Sequence, residues 1–357
     1  MSNEEPPVDH DAVLLVSFGG PERPEEVLPF MEQVTAGRGI PRERLIEVSE
    51  HYRLFGGRSP INDQNRALRA AIEAELVAHG HDLPVYWGNR NSDPTLADEL
   101  RRMRDDGVRR ALCFVTSAYS SYSGCRQYRE DLARARAEVG EGAPELDKIR
   151  VYYNHPGFVE PQVDLVRAAL DELPAEVRDD ARIVFTTHSI PRTMSRHCDY
   201  EVQHDETCRL VMEAFPGRPW EVVFNSRSGP AFVPWLTPDV NDHLEALAAD
   251  GCPGVVVVPV GFVSDHMEVV YDLDVEAAAT AARLGLPFAR AGTVGLDPRF
   301  VAGIRELVEE RVQDGPKRAL GIRGPNWDAC PADCCFTPGQ EERPVVAAAP
   351  PPRRPRP

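Results

Sequence analysis

Short apolar runs alternate with longer segments of helical periodicity along this chain, and the alternation occurs twice. That spacing specifies βαβ units, because parallel strands need a crossover long enough to hold a helix. The first set predicts strands over 12–18, 84–87, 110–116 and 148–153, and helices over 24–35, 61–78, 95–106 and 126–138. Gly19-Gly20-Pro21 breaks the first strand, and Pro24 opens the first helix, where a missing N–H does no harm. The segment 36–60 is rich in Gly, Arg and Pro and reads as a long functional loop. The second set predicts strands over 182–187, 220–226 and 255–260, and helices over 159–172, 200–215, 239–249, 272–284 and 300–314. The expected fold is α/β, with two Rossmann-like, doubly wound lobes whose parallel sheets face a common cleft. The lobes are expected at 11–155 and 156–297, with the last helix, 298–314, a candidate to pack back on the first. A cysteine-bearing extension, 315–335, and a disordered tail, 336–357, rich in Pro, Ala and Arg, complete the expected division.

Two strand ends draw attention. The run Ile183-Val184-Phe185-Thr186-Thr187 ends in His188, and Pro191 stops further pairing. The run Gly254-Val255-Val256-Val257-Val258-Pro259-Val260 leads through Gly261-Phe262-Val263-Ser264-Asp265-His266-Met267 to Glu268. Open α/β sheets bind ligands at the carboxyl ends of their strands. His188 and Glu268 are therefore expected to meet across one cleft, from facing lobes. Alone, a strand-end histidine or a helix-start glutamate is more often structural. Two of complementary type bring the odds of a site to about even. His266 either serves the pair or is merely exposed.

Composition narrows the partners. The formal net charge of -17 argues against nucleic acid and other polyanions. The acidic start, Met1-Ser2-Asn3-Glu4-Glu5, has no apolar core of a signal peptide, and no apolar run approaches the ~20 residues of a membrane span. A cytoplasmic protein is expected. Gly37-Arg38-Gly39, Arg53 and Gly56-Gly57-Arg58-Ser59-Pro60 offer backbone donors, arginines and a hydroxyl suited to carboxylates or phosphates. By itself, such a stretch is more often an ordinary Gly-rich turn with solvated arginines. The dinucleotide and P-loop fingerprints are both missing.

The chain has 8 cysteines, which in a reducing compartment do not read as a disulfide framework. Cys330, Cys334 and Cys335 crowd into one short segment. Three thiols are one short of the four that a tetrahedral zinc or an iron–sulfur cluster takes. Cys125, in a loop just past a strand, is the candidate fourth. Spacing does not separate zinc from iron–sulfur.

Four stretches together make the chain recognisable. Thr186-Thr187-His188-Ser189-Ile190-Pro191, Gly261 to Glu268 with Tyr271-Asp272-Leu273-Asp274, Gly56-Gly57-Arg58-Ser59-Pro60-Ile61, and Asn225-Ser226-Arg227-Ser228-Gly229-Pro230 with Trp235-Leu236 resemble the signatures of the ferrochelatase family. The resemblance covers about residues 11–335 and is nearest to the actinobacterial members that make coproheme. It implies two Rossmann-like lobes around a porphyrin cleft and insertion of Fe(II), as substrate, into coproporphyrin III to form Fe-coproporphyrin III. His188 and Glu268 then correspond to the iron-site and proton-handling residues. Phe18 stands where other members carry a tyrosine against the porphyrin, and Arg38, Tyr52, Ser59 and Tyr128 match substrate-binding positions. Cys125, Cys330, Cys334 and Cys335 fit the pattern of a 2Fe–2S cluster. A monomer that passes its product to a coproheme decarboxylase, with no nucleic acid and no membrane span, completes the implication. Protoporphyrin IX as the substrate, cobalt as the metal, and a two-lobed heme- or metal-binding protein without catalysis are the competing readings. An iron–sulfur regulator fits an acidic chain without a helix-turn-helix pattern poorly.

Overall fold

The computed structural model of the protein describes residues 9–37, 39–228, 232–337, 339 and 341–349. Its frame is two four-stranded sheets in which every strand is parallel to its neighbours. The first holds β1 (Ala12–Ser17), β2 (Val85–Asn89), β3 (Arg110–Val115) and β4 (Glu145–Lys148) in the order β2-β1-β3-β4. The second holds β5 (Arg182–His188), β6 (Trp220–Asn225), β7 (Val255–Val258) and β8 (Phe288–Arg290) in the order β6-β5-β7-β8. The two orders are the same. In each sheet the winding reverses beside the first strand, between β1 and β3 and between β5 and β7. Such a switch point opens a crevice outside the strands' carboxyl ends.

Both faces of each sheet are covered, which is why the central strands are continuous apolar runs rather than alternating ones. From β1, Val13 and Leu15 pack with Leu68, Ile72 and Leu76 of α1 (Ile61–Ala78). Leu14 and Val16 point the other way, to Leu100 of α2 (Leu96–Asp105) and Leu132 of α3 (Gln127–Val139). In the second sheet Val256 and Val258 meet Val166 and Leu170 of α4 (Pro156–Glu172), while Val255 and Val257 meet Leu244 and Leu247 of the helix Val240–Ala249. The last helix, Pro298–Val312, packs against both α4 and α1. Phe300, Ile304 and Val308 join the core of the first lobe.

Several elements differ from the sequence expectation. The supposed loop 36–60 contains a helix, Arg42–Arg53. Gly37, Gly39 and Pro41 mask it in the sequence, yet Arg44–Glu47 and Glu50–Arg53 pairs at 2.6 and 2.9 Å support it, and Leu45 and Tyr52 are buried on one side. The strand expected over 148–153 is instead the earlier, charged β4. β8 spans only Phe288–Arg290 and carries too little pattern to be read. The segments Tyr122–Arg126 and Asp272–Ala277 are π-helical, a form often found beside functional sites. The tail expected to be disordered from residue 336 is docked over 341–349: the Val346 N–H donates to the Arg129 carbonyl at 3.2 Å, and the Ala349 N–H to the Cys330 carbonyl at 2.9 Å. Composition missed this because backbone hydrogen bonds and the Arg129 guanidinium hold most of the strap, with Val346 its one apolar side chain packed on the first lobe's core among the described residues.

Candidate active site

β5 and β7 are direct neighbours, so the residues that follow them share one sheet edge. His188 is the last residue of β5. After β7 the chain passes Gly261, where a Cβ would fall 2.0 Å from the Thr187 hydroxyl, so only glycine permits the approach. A short helix, Met267–Val270, carries Glu268 in its first turn. The His188 Nδ1 lies 3.2 Å from Glu268 Oε2, and His266 Nε2 lies 3.8 Å from the same oxygen. The expectation that the imidazole and the acid come from facing lobes is thereby corrected. Both belong to the second lobe, because the strand order sets β7 beside β5. The two side chains are 30% and 42% exposed, so the pair is open to solvent on one side.

A polar frame holds the acid's helix. The Asn225 amide, at the end of β6, donates to the Glu268 carbonyl at 2.8 Å and to Asp272 Oδ2 at 3.1 Å. Its own oxygen accepts the Thr186 hydroxyl at 3.0 Å. Ser226, in a left-handed backbone conformation, also bonds the Asp272 carboxyl. Burial pushes Asp272 up to about 7 against the Ser226 hydrogen bond, and the charge of Glu268 adds to the rise. Burial draws His266 below the ordinary imidazole range, against the pull of Glu268.

The first lobe supplies the opposite wall. Tyr52, at the end of the Arg42–Arg53 helix, shares one apolar cluster with Phe30, Met31 and Met267, and Phe18 and Tyr271 pack on it. Burial raises the Tyr52 phenol, and the charges of Glu268 and Asp272 raise it further. His51 stacks on Tyr271 with ring centroids 3.8 Å apart. Arg90 lies 5.7 Å from the Phe18 ring centroid and 4.4 Å from that of Tyr128, and Asp131 holds it at 2.6 Å. Ser59, Tyr52 and Tyr128 are buried, whereas Arg53 is exposed and pairs with Glu50. Arg38 lies outside the described residues. A cavity of about 270 Å³ opens between Glu32, Thr35, Ile40 and Leu45. Asn225 and Asp272 entered the sequence reading only as members of motif stretches, with no role of their own, and Arg90 did not enter it. The signal for Arg90 and Asn225 was present, since each sits at the carboxyl end of a strand.

Beneath His188 is a buried network. The Tyr200 hydroxyl donates to the His188 carbonyl at 2.8 Å and meets the Thr187 hydroxyl at 2.7 Å. Thr187 also meets His204 Nε2 at 2.9 Å, while His204 Nδ1 donates to the Tyr200 carbonyl at 2.8 Å. Burial pulls His204 down to about 3, and it does the same to His155. An unfolded histidine titrates near 6.5, so below that pH the unfolded chain binds more protons and stability falls toward pH 3. The expected loss is about 2 kcal/mol per ring at pH 5. Calorimetry across pH 5–8 checks it: His204→Gln should flatten the decline below pH 6.5, and an unchanged slope would clear this ring of the effect.

The cysteines form a second centre. Cys125 lies in the π-helical turn Tyr122–Arg126. Its thiol neighbours that of Cys330, which neighbours that of Cys334 in turn. Cys334 and Cys335 bring their sulfurs to 3.8 Å. Two buried arginines tie the segments together. Arg126 donates to the carbonyls of Ala332 and Cys334 at 2.5 and 3.3 Å. Arg129 reaches those of Cys330 and Pro331, both at 3.4 Å, and Val346 at 3.0 Å. The thiols run as a string of neighbours; among the described residues no three ligand-type side chains close on one ion position.

Comparison with known proteins gives a consistent set of likenesses. The family model described as Ferrochelatase matches residues 10–312. A coproporphyrin III ferrochelatase of Streptomyces coelicolor is 55% identical, over 95% of this chain and 96% of its own. One from Frankia alni is 56% identical, over 95% of this chain and 90% of its own. Among solved structures, SirB from Bacillus subtilis with Fe3+ superposes with a TM-score of 0.50 at 12% identity, covering 85% of this chain and 96% of that one, a likeness of fold.

Proposed function

Because the chain belongs to the ferrochelatase family, we propose that it inserts Fe(II) into coproporphyrin III and releases Fe-coproporphyrin III. The observation that carries this reading is the contact of His188 with Glu268 at a switch point, open to solvent and faced by Tyr52 of the other lobe. Two pyrrole N–H protons must leave as the metal enters the ring, and a base beside the macrocycle must take them. We assign that task and the hold on the incoming iron to His188 and Glu268, with His266 behind the acid. One imidazole and one carboxylate leave most positions of the ion open, so it is passed to the ring nitrogens rather than trapped. Phe18, Tyr52 and Tyr128 would line the macrocycle. Arg38 and Ser59 would serve its propionates, where a guanidinium or hydroxyl suits a carboxylate. We take the lobes as 11–155 and 156–297, and the protein as a cytoplasmic monomer that hands its product to a decarboxylase.

Cys125, Cys330, Cys334 and Cys335 are proposed to hold a 2Fe–2S cluster. The fit rests on their contacts and on the two buried arginines that fix the segment carrying three of them. A bound cluster would supply a cross-link between the C-terminal segment and the first lobe, and a one-electron centre.

Anaerobic assays with Fe(II) and either porphyrin, followed by absorbance, test the substrate. Coproporphyrin III is expected to exceed protoporphyrin IX in kcat/KM by about tenfold or more, since buried carboxylate contacts discriminate strongly. Equal rates would favour the broader chelatase, and binding without turnover would favour a carrier.

A further inference from the structure

Two buried cations near the cysteines form no ion pair among the described residues. Lys148, the last residue of β4, is 6% exposed, and its ammonium donates to the Ile149 carbonyl at 2.9 Å. Arg129 is 2% exposed and bonds only carbonyl oxygens. Among the described residues no carboxylate lies within ion-pair distance of either. The neighbouring cations differ: Arg126 pairs with Glu130 at 2.8 Å and Arg150 with Glu310 at 2.8 Å. Lys148 and Arg129 line one small cavity together with Cys125 and Cys330. Asp328 lies on the same cavity; its Oδ2 pairs with Lys317 and its Oδ1 is buried without a hydrogen-bond partner, but neither oxygen reaches ion-pair distance of Lys148 or Arg129.

A buried charge without a counter-charge is costly, so this pair calls for an anion in the cavity wall. Four thiolates around a 2Fe–2S core carry a net charge of about -2 when oxidised and -3 when reduced. We infer that Lys148, with Arg129, is the built-in counter-charge of the cluster and sets how readily it accepts an electron. The inference rests on the cluster assignment above. With a cluster bound, the step would be a one-electron reduction by a low-potential donor, with the added negative charge carried by the core and no proton transferred.

The test is a redox titration of the full-length holoprotein with dithionite, followed by visible absorption and by the electron paramagnetic resonance of the reduced cluster. Iron and labile sulfide in the parent protein are measured first; their absence would sink the cluster assignment and this inference together. With the cluster present, Lys148→Gln keeps a donor for the Ile149 carbonyl and removes the charge. At a fixed potential its reduced-to-oxidised ratio should fall about tenfold, a downward midpoint shift of about 59 mV. Lys148→Arg should stay near the parent value. A Gln variant that assembles no cluster while the Arg variant does would express the same need for charge. A Gln midpoint equal to the parent's, or cluster loss in both variants alike, would overturn the inference while leaving the cluster itself in place.

Discussion

His188→Ala is expected to lower kcat/KM for Fe(II) insertion by roughly 10²–10⁴-fold, the range for loss of a positioned acid–base group. The substitution removes the ring whose Nδ1 stands 3.2 Å from Glu268 and leaves His266 at 3.8 Å as the remaining imidazole beside that acid. Folding should survive. The side chain is 30% exposed, and the bonds that anchor this strand end use the backbone: the Tyr200 hydroxyl still reaches the residue's carbonyl. Thermal midpoint and coproporphyrin affinity, read by fluorescence quenching, should therefore stay close to the parent's. Glu268→Gln is expected to lose activity to a similar degree, and the double variant little more, because groups that act as one unit are not additive. A His188→Ala protein that inserts iron at the parent rate would remove this pair from the chemistry.

Much of this site was legible before any coordinates, because parallel sheets put function at strand ends. The runs ending at His188 and leading to Glu268 announce themselves by β-branched residues followed by proline or glycine. What could not be read is strand order. Periodicity puts β5 and β7 in the same stretch, 156–297, but says nothing of their adjacency; the expectation of facing lobes ran against that division, and the pair sits on one sheet edge. The Arg42–Arg53 helix was hidden by the glycines and proline before it, and with it went the reason Tyr52 matters: the helix carries that phenol to the second lobe's acids. Asp272 was invisible as a special carboxyl because burial and the nearness of Glu268 arise only after folding. Arg90 stood in plain view past β2, yet nothing in a sequence tells that two aromatic rings will flank one guanidinium.

Cys330→Ser should strip the protein of visible colour, of iron and of acid-labile sulfide together. Cys330 is the middle of the thiol string, neighbouring both Cys125 and Cys334, so its loss severs the first lobe's ligand from the C-terminal pair. Serine cannot stand in, since the ligand is the thiolate and a hydroxyl does not ionise near neutral pH. The backbone arrangement has its own supports: the Cys330 carbonyl accepts from Arg129 at 3.4 Å and from Ala349 at 2.9 Å, and neither bond involves the sulfur. The variant should thus fold but lose a cross-link that ties residue 125 to residue 330, a long loop whose closure is worth about 2–4 kcal/mol by analogy with disulfides. Denaturant melts of the two proteins read that difference, and elemental analysis reads the metal. A colourless parent protein with stoichiometric zinc would refute the cluster. A brown parent whose Cys330→Ser form keeps its iron and sulfide would move the ligand set elsewhere, with Cys198, close enough to Cys334 to feel its charge, the next thiol to exchange.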